Sequence, residues 1–502
     1  MFAVQEESLP RRRLPARIVA RWIIAGLLLP CGYFAGAGGA FFYRQRAVYA
    51  ATGSVRLPEM PIPIHPDRLL VFAPHCDDET LGCGGLIQQT LEAGGSVQTV
   101  MLTNGDGFRT AVERQARTLR IGPQDYIRFA ALRQDESHTA LEALGVKPKD
   151  ILFLGYPDRG LMALWDEHWS PDSPYASIFT HQERSPYANT FDRAARYCGQ
   201  DLLGDIKATL RAFRPTLVTV THPADDHSDH AASAAFVARA VQELQADPQD
   251  RNWASRIRLR FYLVHRGDWP LPQGAHPEAP LLPPVEMRTV DTRWESRRLT
   301  PVETRRKAHS IALYPSQTEI AQEFLSAFAR STEIFGTLPE MHLAAVAAGG
   351  PCLASDSDAW KNLPPVLLDP ARDTVLRDLQ GGGDIRALYA CRVGDTLRLR
   401  LDTRQPISAR FVYTIRLRVF GPHGETPGTD CVLRLGPALG DSNTGAPVDT
   451  KTEGRTLVAE LPWKALMRSL QGTEIRTLAV GVTTTLGDVE VDKTGMRFLQ
   501  CP

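Results

Sequence analysis

The sequence predicts an α/β fold with a Rossmann-like, mostly parallel sheet, followed by a C-terminal antiparallel β-domain of sandwich type. Three observations carry this. Short apolar runs alternate with helical-period segments up to residue 265, two acidic-histidine clusters follow two of those runs, and period-two alternation takes over after residue 350. Residues 69–73 form a strand-length apolar run, and 79–93 read as a helix. A strand at 97–102 precedes a long helix at 126–144 that ends at Gly145, and 151–154 is the third strand. Leu202, Leu203, Ile206, Leu210 and Phe213 recur at helical spacing until Pro215 closes the helix. A strand at 217–220, a helix at 231–244 and a strand at 261–264 complete the alternation. Six prolines (270, 272, 277, 280, 283 and 284) predict a long surface loop over 269–288. Farther on, Leu397, Leu399 and Leu401 alternate with Arg398 and Arg400, and Tyr413, Ile415, Leu417 and Val419 with Thr414, Arg416 and Arg418. That period gives strands with one apolar face, with the arginines on a solvated face or meeting an anionic glycan.

Among 502 residues, 43% are hydrophobic and 23% charged, a globular composition that excludes a disordered or collagen-like chain. Lys+Arg and Asp+Glu both total 57, so net charge is +0 and a nucleic-acid partner is not expected. The eight cysteines include no CxxC pair, which excludes a cysteine-rich zinc ribbon or finger. Cys352, Cys391, Cys431 and Cys501 are spaced to form disulfides in an oxidising compartment, or to remain buried thiols in a reducing one. Arg11, Arg12, Arg13, Arg17 and Arg21 precede an apolar stretch long enough to span a bilayer. Residues 1–17 are therefore expected to be cytoplasmic, 18–43 a transmembrane signal-anchor or a signal peptide, and 44–66 a proline-rich linker. The α/β domain at 67–345 and the β-domain at 350–502 would then be extracytoplasmic, at the periplasm or cell surface.

Both histidine clusters fall at the carboxyl ends of strands, where open α/β sheets place their ligands. The first is Pro74-His75-Cys76-Asp77-Asp78-Glu79, and the second runs from His222 to His230. His75, Asp78 and His230 supply a His₂Asp donor set for one divalent ion with a coordination position open to water. Asp77, adjacent but uncoordinated, is the candidate to accept the water's proton.

These stretches, together with Thr103-Asn104-Gly105-Asp106-Gly107, Arg133 with Glu136, Pro157-Asp158, and Lys307 followed by Tyr314-Pro315-Ser316-Gln317, resemble the zinc-dependent LmbE-like or PIG-L-type N-acetylglucosaminyl deacetylases. The similarity spans roughly residues 67–320, in motif order and spacing. It implies one Zn²⁺, or another divalent metal, on His75, Asp78 and His230, with Asp77 as general base. It further implies that His227 stabilises the oxyanion or protonates the leaving amine, that Asp229 orients His227, and that Arg133 and Asp158 grip sugar hydroxyls. Cys76 departs from the family's usual proline and bears on loop rigidity.

The implied substrate is an N-acetylated amino sugar in a glycolipid, glycoconjugate or polysaccharide. The β-domain would contact glycan, and the N-terminal helix the membrane. Two alternatives stand beside this: a zinc amidase for a larger N-acyl group, and a catalytically silent glycan-binding protein. Gly82, Gly84 and Gly85 lack a P-loop's spacing and lysine and read as close helix packing. Asp106, His222, Asp225 and His265 carry either structural or site roles.

Overall fold

The computed structural model describes residues 56–61, 67–346, 360, 362–370 and 380–502, except 289, 423–425, 427–429 and 471–472. The expected cytoplasmic segment, membrane-spanning segment and most of the linker lie outside these residues. Among the described residues no helix is long and apolar enough to cross a membrane.

The first strand, β1 (Arg68–Ala73), is apolar almost throughout because both its faces are covered. Leu70 and Phe72 point into one cluster while Leu69, Val71 and Ala73 point into the other. It is followed by α1 (Asp78–Glu92), β2 (Ser96–Thr103), α2 (Arg109–Ala116), α3 (Pro123–Ala143) and β3 (Ile151–Tyr156). Next come the short α4 (Leu161–Asp166), α5 (Gly199–Phe213), β4 (Leu217–Thr221), α6 (Ser228–Ala246) and β5 (Arg258–Tyr262). Two further strands, β6 (Arg293–Arg298) and β7 (Thr332–Thr337), flank α7 (Pro301–Ala312) and α8 (Pro315–Ser326). The sheet order is β3-β2-β1-β4-β5-β7-β6. The first five strands pair in parallel and the last two add an antiparallel edge. Chain direction away from β1 therefore reverses between β1 and β4, which places a ligand crevice at their carboxyl ends.

The glycines of α1 do serve close packing. A Cβ on Gly82 would stand 2.2 Å from Tyr262 Cδ2, and one on Gly85 2.4 Å from Leu299 Cδ2. The proline-rich segment departs from its expected place on the surface. Trp269, Leu281 and Met287 are buried in the cluster that also holds α1 and Phe328. Its apolar side chains alternate with the prolines, so it clamps the sheet edge like an additional layer.

The β-domain is a sandwich. One sheet contains Ile385–Val393, Thr396–Thr403, Thr456–Pro462 and Asp449–Glu453; the other contains Cys431–Gly436, Val412–Phe420, Thr477–Leu486 and Arg497–Gln500. Leu397, Leu399 and Leu401 of one sheet meet Ile415, Leu417 and Leu433 of the other in a single core. The sheets start earlier than residue 350. Met341–His342 pairs with the Arg497–Gln500 strand, and Ala344–Val346 with the Ile385–Val393 strand. Cys391, Cys431 and Cys501 are buried unpaired thiols, while Cys352 lies outside the described residues.

Residues Arg56–Pro502 form one compact unit. Phe420, Ala479 and Met496 of the sandwich enter the same cluster as Trp165, Trp169 and Phe236 of the α/β domain. The arginines expected on a solvated face are largely engaged. Arg418 is 1% exposed, stands over Trp169 at 4.3 Å and pairs with Asp430 at 2.7 Å. It also donates to the Trp165 carbonyl. Arg416 reaches Asp166 of α4, Arg398 pairs with Glu460 and Arg400 with Asp402. On the sheet that carries Arg416 and Arg418 the outer face is internal, because the α/β domain covers it, whereas Arg398 and Arg400 pair within their own sheet.

Candidate metal centre and active site

The loop after β1 and the loop after β4 carry the two histidine clusters to one point. His75 Nδ1 lies 3.2 Å from Asp78 Oδ2, His230 Nε2 lies 3.2 Å from Asp78 Oδ2, and the two histidine nitrogens are 3.2 Å apart. Donors held tetrahedrally at ~2.0 Å from one ion stand about 3.3 Å apart. The triangle thus has the dimensions and donor chemistry that a zinc-sized ion requires. His75 and His230 would hold such an ion through neutral nitrogens and Asp78 through its carboxylate. Burial disfavours the Asp78 anion, but the charge and hydrogen bond of His230 and the hydrogen bond of His75 outweigh it and hold the carboxyl well below the usual range.

Carboxylates behind the triangle fix the rings. Asp225 Oδ2 stands 3.2 Å from His230 Nδ1 and accepts the amides of Val264 and His265. Asp158 Oδ1 and Asp229 Oδ2 face His75 Nε2 at 3.2 and 3.4 Å. A carboxylate behind each imidazole sets which nitrogen is free to ligate and raises its basicity.

Asp77 sits at the triangle's edge, 8% exposed, with φ 137° and ψ −30°. A non-glycine residue there stores about 1–3 kcal/mol of backbone strain, which the surroundings must over-determine. Its amide donates to Glu79 Oε2 at 3.0 Å, and Glu79 Oε1 accepts from Tyr314 Oη at 2.5 Å and Ser137 Oγ at 3.2 Å. Burial, reinforced by Asp78 and Glu79 and opposed by Arg133 and His75, lifts the Asp77 carboxyl to about 7.

Arg133 does not reach outward to a sugar. It is 4% exposed, donates to the carbonyls of Gly105 (2.9 Å) and Cys76, and faces Asp77 Oδ2 at 3.1 Å. Only glycine suits position 105, where φ is +62° and a Cβ would lie 1.9 Å from Arg133 Nη1. Asp158 likewise turns inward, its second oxygen accepting the Gly107 amide at 2.5 Å. The two residues expected to grip substrate instead brace the base and a histidine.

The role expected for Asp229 also changes. Its carboxylate accepts the amides of Arg159 (2.6 Å) and Leu161 (3.1 Å) at the start of α4 and faces His75. What Asp229 offers His227 is its backbone amide, 3.3 Å from Nδ1. With Nδ1 accepting, the neutral ring carries its proton on Nε2. Burial, then His75 and His230, push His227 down to about 2, so the ring is a neutral donor. It is half-buried, whereas His75 and His230 are fully enclosed.

Sequence reasoning left Asp225 and His265 unassigned, and the structure draws both to the site. The His265 ring centroid is 4.9 Å from that of His230. Burial and the His230 charge push its imidazole down to about 4. Asp106 lines the same region, accepting from Tyr187 Oη at 3.0 Å. His222 does not join them. It stacks on Trp294 and sits 3.0 Å from Thr292 Oγ1. Cys76 is buried in the apolar cluster and burial pushes its thiol upward, so it stays an undissociated packing residue. Glu136, Lys307 and Tyr314 are scaffold: Glu136 accepts the Ser316 amide and hydroxyl, and Lys307 pairs with Glu333 at 2.7 Å.

Fold and site together describe a parallel α/β domain with a two-histidine, one-carboxylate metal-type centre at its topological switch point. Residues 70–241 match the PIG-L family, GlcNAc-PI de-N-acetylase, and that segment is a PIG-L family domain. Two relatives, 1D-myo-inositol 2-acetamido-2-deoxy-alpha-D-glucopyranoside deacetylases of Mycobacterium sp. strains KMS and JLS, are each 32% identical over 181 residues. The match takes in 36% of this chain and 51% of each relative, so the chain spans about half the length of these curated relatives. Among solved structures, N,N′-diacetylchitobiose deacetylase from Pyrococcus horikoshii is similar over 54% of this chain and 83% of that one. Its identity is 18% and its TM-score 0.33.

Proposed function

We propose that the protein is a zinc-dependent hydrolase that removes the N-acetyl group from N-acetylglucosamine units of a glycolipid, glycoconjugate or polysaccharide. The observation that carries this reading is the equal-edged His75–Asp78–His230 triangle with the uncoordinated carboxylate of Asp77 beside it. The family match at 70–241 and the deacetylase relatives support the acetamide as the scissile group.

When bound, a divalent ion at the triangle supplies Lewis-acid polarisation and makes water acidic enough to be deprotonated near neutrality. Asp77 accepts a proton from water on its carboxylate as the water oxygen bonds to the acetamide carbon. His227 hydrogen-bonds through its Nε2–H to the carbonyl oxygen as negative charge develops there. Asp77 then returns its proton to the amine nitrogen as the C–N bond breaks, leaving acetate and a free amino sugar. Arg133 holds Asp77 throughout.

The test is acetate release from N-acetylglucosaminyl lipids and oligosaccharides, before and after chelation and after Zn²⁺ is returned. Activity lost on chelation and regained with Zn²⁺ is the expected result. A protein that holds no divalent ion and releases no acetate would sink the proposal. The location proposed for the catalytic domain is extracytoplasmic, anchored or exported, on the strength of the arginines before the apolar stretch at 22–43. Protection of the domain from protease in spheroplasts would contradict it.

Removing the guanidinium in Arg133→Met leaves two loop carbonyls without a donor and Asp77 without its counter-charge. Support of this kind is worth roughly 10–100-fold in activity. Because Arg133 opposes the upward push of burial on Asp77, the ascending limb of the pH–rate profile moves to higher pH. A profile that keeps its midpoint would show that Arg133 does not act through the base.

A further inference from the structure

We propose that His265 is a fourth metal-binding side chain, closing on the ion held by His75, Asp78 and His230. The inference rests on the metal reading of the site and goes beyond the three donors that the two sequence clusters supply. A ring nitrogen of His265, a carboxylate oxygen of Asp78 and a ring nitrogen of His230 all lie within 4.8 Å of one another. His265 comes from a third segment, the residues just after β5, so neither cluster reveals it.

The surroundings hold the ring in place without using its nitrogens. The His265 amide donates to Asp225 Oδ2 at 2.9 Å, the same oxygen that stands behind His230 Nδ1. One carboxylate thus ties the backbone of the fourth imidazole to the orientation of a ligand ring. The other constraint is a face-to-face stack on Phe324 of α8, with centroids 5.4 Å apart and planes 9° from parallel. Among the described residues neither ring nitrogen has a hydrogen-bond partner, and the residue is half-buried. The stack and the amide anchor thus position the ring beside Asp78 and His230 while leaving a nitrogen available to an ion.

Three protein donors leave a position for water and substrate, whereas four tetrahedral donors close a zinc site. His265 therefore acts as a latch in the resting protein. Its nitrogen would fill the coordination position otherwise left open, and substrate would have to displace it.

The experiment uses the full chain loaded with Co²⁺, whose visible absorption reports the donor set, and Zn²⁺ affinity measured by chelator competition. His265→Phe keeps an aromatic ring against Phe324, and circular dichroism checks that it folds. In this variant the Co²⁺ bands change and Zn²⁺ affinity falls by roughly 10–100-fold, the range expected when support for a metal site is lost. An unchanged spectrum with unchanged affinity overturns the latch even if acetate release falls, and leaves the three-donor centre standing. If the unaltered protein binds neither ion, the latch and the hydrolase proposal fall together.

Discussion

Asp77→Asn abolishes nearly all acetate release while leaving the metal content and the fold intact. The substitution is close to isosteric, and asparagine and aspartate are among the non-glycine residues that enter positive φ most readily. The strained backbone at φ 137° is therefore kept, and the amide still donates to Glu79 Oε2. The proton-accepting carboxylate is lost. General-base assistance contributes about 10²–10⁴-fold, and kcat should fall within that range while KM changes little. The measurements are steady-state kinetics with zinc analysis of the same preparation. Asp77 does not belong to the triangle, so loss of zinc in the variant would show that it is a ligand and not the base. Near-normal kcat with zinc bound would assign the base elsewhere.

The convergence of His75, Asp78 and His230, with Asp77 beside them, was readable in the sequence because each cluster is local. Six residues directly after one strand and nine after another must share a sheet edge once the strands are parallel neighbours. The five parallel strands were readable for a related reason. A strand covered on both faces is a continuous apolar run, and each observed element lies within a few residues of its expected place. The antiparallel edge was not. Arg293–Arg298 is charged at four of its six positions, as a strand at a sheet border can be, and it carries no apolar alternation. The α7 helix had a signal that sequence reading passed over: Thr300, Pro301 and Glu303 form a capping box with proline at the first helical position.

The supporting residues were misread because their role depends on which way a side chain turns. Asp229 follows a histidine by two positions, and the family resemblance implied that its carboxylate serves that histidine. At the N-terminus of α6 the amide turns toward His227 and the carboxylate turns away, toward α4 and His75. Arg133 lies on a helix with many charges, and nothing in its spacing distinguishes a guanidinium facing solvent from one inserted among loop carbonyls. Period two placed Arg418 on the outer face of its strand correctly, but could not say that another domain covers that face.

That covered arginine carries the largest expected effect on stability. In Arg418→Leu the Asp430 carboxylate, itself buried, loses its counter-charge, and the Trp165 carbonyl loses its donor. Breaking a buried pair from one side costs about 3–5 kcal/mol, because an uncompensated charge remains. Burial, opposed by Arg418, already lifts Asp430 to about 7, and removing the guanidinium lifts it further. The folded variant then binds a proton that the unfolded chain releases near the ordinary carboxylate value. Its stability is therefore highest in acid and falls as pH rises through the interval between those two pKa values. Urea titrations at pH 5.5 and 8.0 should give the smaller loss at the lower pH. Arg418→Leu combined with Asp430→Leu should recover part of the deficit, since no charge is left stranded. A single variant whose deficit does not depend on pH, or a double variant worse than the single, would show that the loss comes from packing over Trp169 and not from the ion pair. The same contact bears on the site, because Trp165 belongs to the short helix whose first amides hold Asp229 behind His75. The sandwich thus presses on the element that backs the His75 ring, so on the proposed reading the single variant should also lose zinc more readily in chelator competition than the double variant does.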